Sequence, residues 1–420
     1  MNLSSKKTHR VSGIRTRRCM PVLMTVLLLC TAPGMVSADK MNDRLPQPNK
    51  RSGAALTNSS GEALVQVALL LDTSGSMKGL VDQARCQLWN VVSELATAQR
   101  DGKPIRLQIA VYQFGTEDVS KKQGCLRQII PFTETLDDVS AGLFRLTVAG
   151  GDEYCGEAVG AALDDLDWSS EPSVYKAIFI AGNESFYQGE RTFGSLLPEL
   201  NAQSILVNTI YCGSKYKNDE EWRLASQAAE GRFTKIDHNH KLPDISTPYD
   251  QKMRELNSEM NETFVWYGSR AKKAAENQAR QDRNADRMSD HAFASRMSAK
   301  IGHLYHHIEH DLIDGTLHGK IRLETMPEEL MPESLRSMTP KERQEYLSAM
   351  ISRRQSVRRR MAEVIAKRHR FLTAKMSEKL SPSEDSVTDL GEALISAVTE
   401  QARQRGYEFE KPLDVAAQKN

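Results

Sequence analysis

The chain has 420 residues and a formal net charge of +1, with 40% hydrophobic and 26% charged residues. That length allows two to three domains, with a full core in at least one. A mean hydropathy of −0.50 excludes a polytopic membrane protein. The near-neutral total hides an asymmetry. Residues 1–38 hold six Lys/Arg and no acid, 338–382 hold twelve Lys/Arg against four Glu, and 383–420 hold eight acids against four bases, which leaves −9 on 39–337. An acidic body with one basic segment is not the pattern of a nucleic-acid binder.

The first 38 residues read as an export signal. A basic stretch ends at Arg18. An apolar run follows from Met20 to Cys30, broken only by Pro21 and Thr25, and Val36-Ser37-Ala38 places small or apolar residues at −3 and −1. Cleavage is expected after Ala38, giving a periplasmic or secreted protein. The run is shorter than the ~20 residues that span a bilayer. Thr16-Arg17-Arg18 is only a weak twin-arginine signature, and Leu29 is too bulky to precede a lipoprotein Cys30. Removal of 1–38 leaves Cys86, Cys125, Cys155 and Cys212. These are either buried thiols or disulfides, with three pairings open in an oxidising compartment.

Residues 39–62, polar and rich in Pro, Gly, Ser and Asn, read as a flexible linker. Leu64–Leu71 is a continuous apolar run, as in a strand buried on both faces. Met77–Ala98 has helical spacing. Strands are then expected over 107–114, 126–132, 174–181, 204–211 and 232–237, and helices over 136–146, 156–166, 192–203 and 219–230. This alternation implies an α/β fold, a doubly wound, mostly parallel sheet over 63–243. After 243 the strands stop. A helix can start at Thr247-Pro248, 269–310 is helical with a break near Ser289-Asp290, and 311–337 is irregular. Residues 244–337 thus read as a helical connector. Thr339-Pro340-Lys341-Glu342 is a capping signature. The helix it opens runs to about Leu380, with an apolar stripe at Tyr346, Met350, Val357, Met361, Val364, Leu372 and Met376 whose spacing suggests a coiled-coil-like seam. A second helix over 389–405 ends at Gly406. Joined by Ser381-Pro382-Ser383, the two are expected to form an antiparallel hairpin over 338–420, with the acids of the second neutralising the arginines of the first.

The most informative motif is Asp72-Thr73-Ser74-Gly75-Ser76, which follows the buried strand and opens a helix. One carboxylate and two hydroxyls at i, i+2 and i+4 crowd one short loop. Hard oxygen donors at the carboxyl end of a parallel strand suit Mg²⁺, Mn²⁺ or Ca²⁺. The simpler reading of the same residues is a helix N-cap.

At this motif the sequence resembles the von Willebrand factor type A (vWA) domain, whose metal-ion-dependent adhesion site begins D-x-S-x-S; the resemblance covers about 64–240. It implies a doubly wound fold with a divalent cation, Mg²⁺ or Ca²⁺, at the top of the sheet. It also implies a role in binding a partner protein, often through a partner acid that completes the cation's shell. Two loops depart from the family pattern. Where a Thr usually follows Gly-Gly, Gly150-Gly151 is followed by Asp152 and Glu153. Where Thr-Asp-Gly is usual, the chain reads Ala181-Gly182-Asn183-Glu184, so Asn183 and Glu184 are the next oxygen-bearing candidates. GGDEYCG, FIAGNESF, VNTIYCG and TPYDQKMRELNSEMNETFVWYG, with QDRNA at 281–285 and the 304–314 stretch, look like an exported bacterial branch with a helical C-terminal region. With Asp72 and Asp152 both direct ligands, the site's net charge falls toward zero, which strengthens cation binding and weakens attraction for an external acid. Glu153 competes with Asp152 for that place. On this fold Cys155 and Cys212 both fall in loops at the carboxyl end of the sheet, and a disulfide between them is expected.

Tyr154, Phe186, Tyr187 and Tyr211 fall in the loops around the cation and are candidates for a partner-binding rim. His303, His307 and His310 would share a helical face, though a polar helix face explains them better than Zn²⁺ or Ni²⁺. The basic helix over 341–379 could meet an anionic membrane surface or an acidic partner as well as its own neighbour. No nucleophile–base pair or phosphate loop stands out. The expected function is therefore a non-enzymatic, cation-dependent protein-binding module. The rival, a metal-assisted hydrolase of envelope material, lacks a general base and a second metal cage.

Overall fold

The computed structural model describes residues 63–117, 125–213, 218–240, 244–379 and 388–409, with backbone only at 376–379. The expected signal and linker lie outside the described residues. The N-terminal part contains β1 (Ala63–Asp72), α1 (Lys78–Leu95), β2 (Ala98–Arg100), β3 (Lys103–Phe114), β4 (Arg127–Thr133), α2 (Leu136–Arg145) and α3 (Cys155–Asp165). It continues with β5 (Tyr175–Gly182), α4 (Leu197–Ala202), β6 (Leu206–Cys212), α5 (Asp219–Ala228) and β7 (Phe233–Ile236). The helical part holds α6 (Asp250–Asn261), α7 (Ala271–Met288), α8 (Asp290–Ile301), α9 (Leu312–Leu317), α10 (Glu333–Arg336), α11 (Pro340–Lys379) and α12 (Leu390–Arg403), followed by β8 (Tyr407–Phe409).

The strands form one eight-stranded sheet in the order β7-β6-β5-β1-β3-β2-β8, with β4 also paired to β3. β1 is parallel to β3 and β5, and β6 and β7 continue the parallel half. The apolar run of β1 is explained by burial on both sides. Val65, Val67, Leu69 and Leu71 meet α1 and α2 on one face, while Ala68 and Leu70 meet α3, α4 and α5 on the other.

Two helix ends before strands carry side chains in the left-handed region: Ser204 at φ 55° and Glu230 at φ 52°. At the second, Gly231 N–H returns to Ser226 O at 2.8 Å, the bond that closes a helix C-terminus and is usually served by glycine at the position before it. Glu230→Gly is therefore expected to stabilise the protein by roughly 0.5–1 kcal/mol, since relief of left-handed strain exceeds the added chain entropy. A denaturant midpoint that falls on this substitution would contradict the argument.

In the helical part, Ser289 breaks α7 from α8 and its hydroxyl accepts from Ala292 N–H at 2.9 Å. The Thr339–Glu342 capping box opens α11, with Thr339 N–H to Glu342 Oε2 at 2.7 Å. The apolar stripe of α11 packs inside the chain. Val357 and Met361 meet Met253, Leu256 and Met260 of α6 and Phe293 and Met297 of α8.

The expected α11–α12 hairpin is not formed. α12 returns to the sheet and packs on α1, placing Leu390, Leu394 and Val398 in the core under β1. β8 then adds antiparallel to β2. The physical reason is that the acids that pair with the α11 arginines are already supplied elsewhere. Arg354 pairs with Asp311 and Asp314 at 2.7 and 2.9 Å, Arg360 with Glu259 at 2.6 Å and Arg368 with Asp250 at 2.7 Å. The apolar face of α12 is thereby available to the sheet.

The helical part is joined to α2 through a buried ionic cluster. Arg296 of α8 bonds Asp137 of α2 at 2.7 Å and Asp282 of α7 at 2.6 Å. Lys300 also reaches Asp282, and Tyr305 donates to Asp137 at 2.8 Å. The histidines do not share a helical face, because α8 ends at Ile301. His303 instead lies 3.1 Å from Ile105 O, and His307 is buried against Tyr305 and Asp137.

Candidate functional site

Asp72 is the last residue of β1 and is fully buried at the carboxyl end of the sheet. Its Oδ1 accepts the Ser74 N–H at 2.7 Å, which folds the loop back over the strand end. Thr73 Oγ1 donates to Phe114 O at 3.0 Å and ties the loop to β3. Ser74 does not use its hydroxyl as a helix cap. That hydroxyl instead favours the charged forms of Asp72 and Glu153. Ser76 is exposed on the following turn.

Two glycines make the approach of the other loops possible. A Cβ on Gly115, at φ 71°, would stand 2.9 Å from both Asp72 Oδ1 and Glu153 Cγ. A Cβ on Gly182 would stand 3.0 Å from Asp72 Oδ2. Any larger residue at either point would push a carboxylate away from the centre.

On the second loop Glu153 lies beside Gly115, on which Asp72 also closes. Asp152 turns to accept the Tyr154 hydroxyl at 2.9 Å. In the third loop, Asn183 and Glu184 follow Gly182 directly. Trp222 Nε1 donates to Glu184 O at 2.7 Å, and Glu221 receives the Ser185 hydroxyl and the Phe186 N–H at 2.6 and 2.8 Å. This backbone is therefore fixed by α5.

Electrostatically the centre is short of positive charge. Burial pushes Asp72 up to about 7, against the pull of Ser74, and Glu153 and Glu184 add to the rise. Burial, then Glu184, likewise raises Glu153. Asp72 Oδ2 and Asn183 Oδ1 are both buried without a hydrogen-bond partner. A buried acceptor costs the protein its hydration, and a hard cation beside it would return that energy. The donor set of carboxylates, hydroxyls and an amide oxygen fits Mg²⁺ or Ca²⁺. Among the described residues no group of three His, Cys, Asp or Glu is placed as a metal cluster. The oxygen donors around Asp72 are instead Ser74 and the side chain of Asn183 as well as acids.

The remaining candidates divide. Cys155 and Cys212 are free, as are Cys86 and Cys125, and the expected disulfide is absent. Cys155 packs with α3 on one face of the sheet and Cys212 with α1 on the other, so the sheet separates them. Of the aromatic rim, Phe186 is buried edge-on against Phe193 and Trp222, and Tyr211 packs on Trp222. Tyr154 is half-buried, and Tyr187 stands 68% exposed.

The family model of the von Willebrand factor type A domain matches residues 66–248. These residues form a vWA domain. The helical region follows it and closes its core with α12. No curated protein matches the chain. Among solved structures the chain is similar to proximal thread matrix protein 1 of the mussel byssus, at 14% identity over 41% of this chain and 41% of that one, TM-score 0.31. Another structure of that mussel protein is described with a zinc-occupied metal-ion-dependent adhesion motif. An aerotolerance-related membrane protein of Bacteroides fragilis matches at 14% identity over 42% of this chain and 93% of that one, TM-score 0.29. A von Willebrand factor type A protein of Catenulispora acidiphila matches at 18% identity over 42% and 39%, TM-score 0.31.

Proposed function

We propose that the chain is an exported module that binds a partner protein in a divalent-cation-dependent manner, with Asp72, Ser74 and Ser76 holding Mg²⁺ or Ca²⁺. vWA domains are in general interaction modules rather than enzymes, and the domain match supports that class. The observation that carries the cation is the fully buried Asp72, whose Oδ2 has no hydrogen-bond partner among three converging loops. A buried carboxylate left without a partner is costly, and the loops around it offer oxygen rather than cationic side chains. Loop sites of this kind, on a rigid sheet, are suited to presenting a surface to another protein.

Calorimetry with Mg²⁺ and with Ca²⁺ on residues 39–420 tests the reading. The wild-type chain is expected to bind one cation and Asp72→Ala to lose that binding entirely. Equal heats from both proteins would overturn it. Circular dichroism on Asp72→Ala should remain native, because a fully buried charged group is removed and the strand it ends is retained.

A further inference from the structure

We propose that Glu153 is the second carboxylate of this site and that it fixes the class of group a partner can present: a neutral oxygen donor, not a carboxylate. The inference rests on the cation reading above and adds a residue role and a partner chemistry to it.

The acidic side chains alone would not make a site. The independent observation is Asp72, which is fully buried and whose Oδ2 lacks a partner at their centre. Glu153 is placed there by the structure of its loop. Its Cγ and Asp72 Oδ1 each lie 2.9 Å from the point where a Gly115 Cβ would stand, so the two side chains close on the same glycine. Asp152, one residue earlier, is engaged by the Tyr154 hydroxyl.

A divalent cation held by Asp72 and Glu153 is formally neutralised. Glu184, on the neighbouring loop, raises both carboxyls, so it adds negative charge near the centre. An incoming carboxylate would meet net repulsion from Glu184 and little residual attraction from the cation. A backbone carbonyl, a side-chain amide or a hydroxyl brings an oxygen lone pair without adding charge. The same charge balance makes the cation tightly held, so it behaves as a resident part of the surface.

The test is calorimetric titration of Ca²⁺ into residues 39–420, with acetate or acetamide as the probe of the outer position at matched ionic strength. Glu153→Gln is expected to weaken Ca²⁺ roughly tenfold or more, by loss of one direct negative charge, and Asp152→Asn to change it by less than about twofold. Acetate should leave the wild-type Ca²⁺ affinity unchanged and should tighten it in Glu153→Ser, because a ligand that joins the cation's shell must raise the cation's affinity by linkage. Without cation, Glu153→Gln should melt higher than wild type, as repulsion with Asp72 and Glu184 is relieved. Unchanged Ca²⁺ affinity in Glu153→Gln, beside lost binding in Asp72→Ala, overturns the role of Glu153 and leaves the cation site standing. Acetate tightening Ca²⁺ in the wild type overturns the partner class. Absence of any binding by the wild type overturns both readings.

Discussion

Replacing Arg296 by alanine is expected to destabilise the protein by about 3–5 kcal/mol, among the largest effects of any single substitution. Arg296 has no exposed surface and joins α8 to α2 and α7 at once. Its guanidinium also donates to Gln278 O at 3.2 Å and stacks over the Trp89 ring at 4.5 Å. Burial disfavours its charge, but Asp137 and Asp282 more than restore it. Removing it takes the guanidinium from buried Asp137 and leaves buried Asp282 with Lys300 as its remaining cation. Burial opposes ionisation of both, yet Arg296 with His307 holds Asp137 well below the usual carboxylate range, and Lys300 with Arg296 holds Asp282 at about 2. A depressed carboxyl contributes stability that is present above its unfolded value near 3.9 and is lost as pH falls toward its folded value. The wild-type chain should therefore lose stability on acidification between about pH 4 and 2, and Arg296→Ala should lose less there. Urea unfolding across pH measures both. Because paired buried ions can be replaced by uncharged groups at little cost, Arg296→Met with Asp137→Asn, which leaves Lys300 paired with Asp282, should recover part of the loss. A loss below about 1 kcal/mol in Arg296→Ala would show that water enters the cluster and that it does not join the two parts.

The alternation of apolar strands and helices was enough to define the N-terminal fold, because a β1 buried on both faces leaves a run such as Leu64–Leu71 that few other structures need. Asp72, Ser74 and Ser76 were legible for the same reason: their spacing is local and their place after a strand is fixed by the chain. Glu153 against Asp152 was not decided, since a shift of one residue in a loop reverses which side chain turns inward. In the structure Glu153 lies beside Gly115, a neighbour distant in sequence, while Asp152 accepts the Tyr154 hydroxyl two residues on. The Cys155–Cys212 pairing failed for a related reason. Both residues were placed at the correct end of the sheet, but the alternation of faces put them on opposite sides. β2 and β8, at three residues each, are too short to show a period. Arg296 and Lys300 do leave a trace in the sequence, because they sit between Ala, Phe and Met in a helix whose apolar positions leave little surface for charge. The expected α11–α12 hairpin rests on the short Ser381-Pro382-Ser383 connection and on charge complementarity. Such complementarity names a sign and not a partner, and Asp250, Glu259, Asp311 and Asp314 carry the same sign as α12.

Ending the chain at residue 387 is expected to unfold the vWA domain. The segment removed lies more than a hundred residues beyond the domain's last strand, yet it supplies part of the core. Leu390, Leu394 and Val398 seat against Leu88 and Val91 of α1 and against Leu69 and Phe179 of the sheet. Burial of each of these three side chains contributes roughly 1.5–3 kcal/mol. Polar contacts add to this. Asp389 accepts from Gln87 at 2.9 Å, Gln401 exchanges bonds with Asn208 and accepts the Tyr175 hydroxyl at 2.7 Å, and the Tyr407 hydroxyl donates to Leu64 O at 2.9 Å. Loss of the arm would leave Gln87, Asn208 and Tyr175 without these partners beside an opened apolar face. The total is comparable to the ~5–15 kcal/mol that holds an ordinary domain together. The shortened protein should therefore show no cooperative melt, or should precipitate on purification. A milder variant, Leu394→Ala, should cost about 2–5 kcal/mol in the full chain and retain two-state unfolding. Supplying residues 388–420 as a separate peptide should restore the melt of the shortened chain, because the seat on α1 and β2 is formed by residues still present. A truncated chain that melts at the wild-type temperature would show that α12 lies on a core already complete without it.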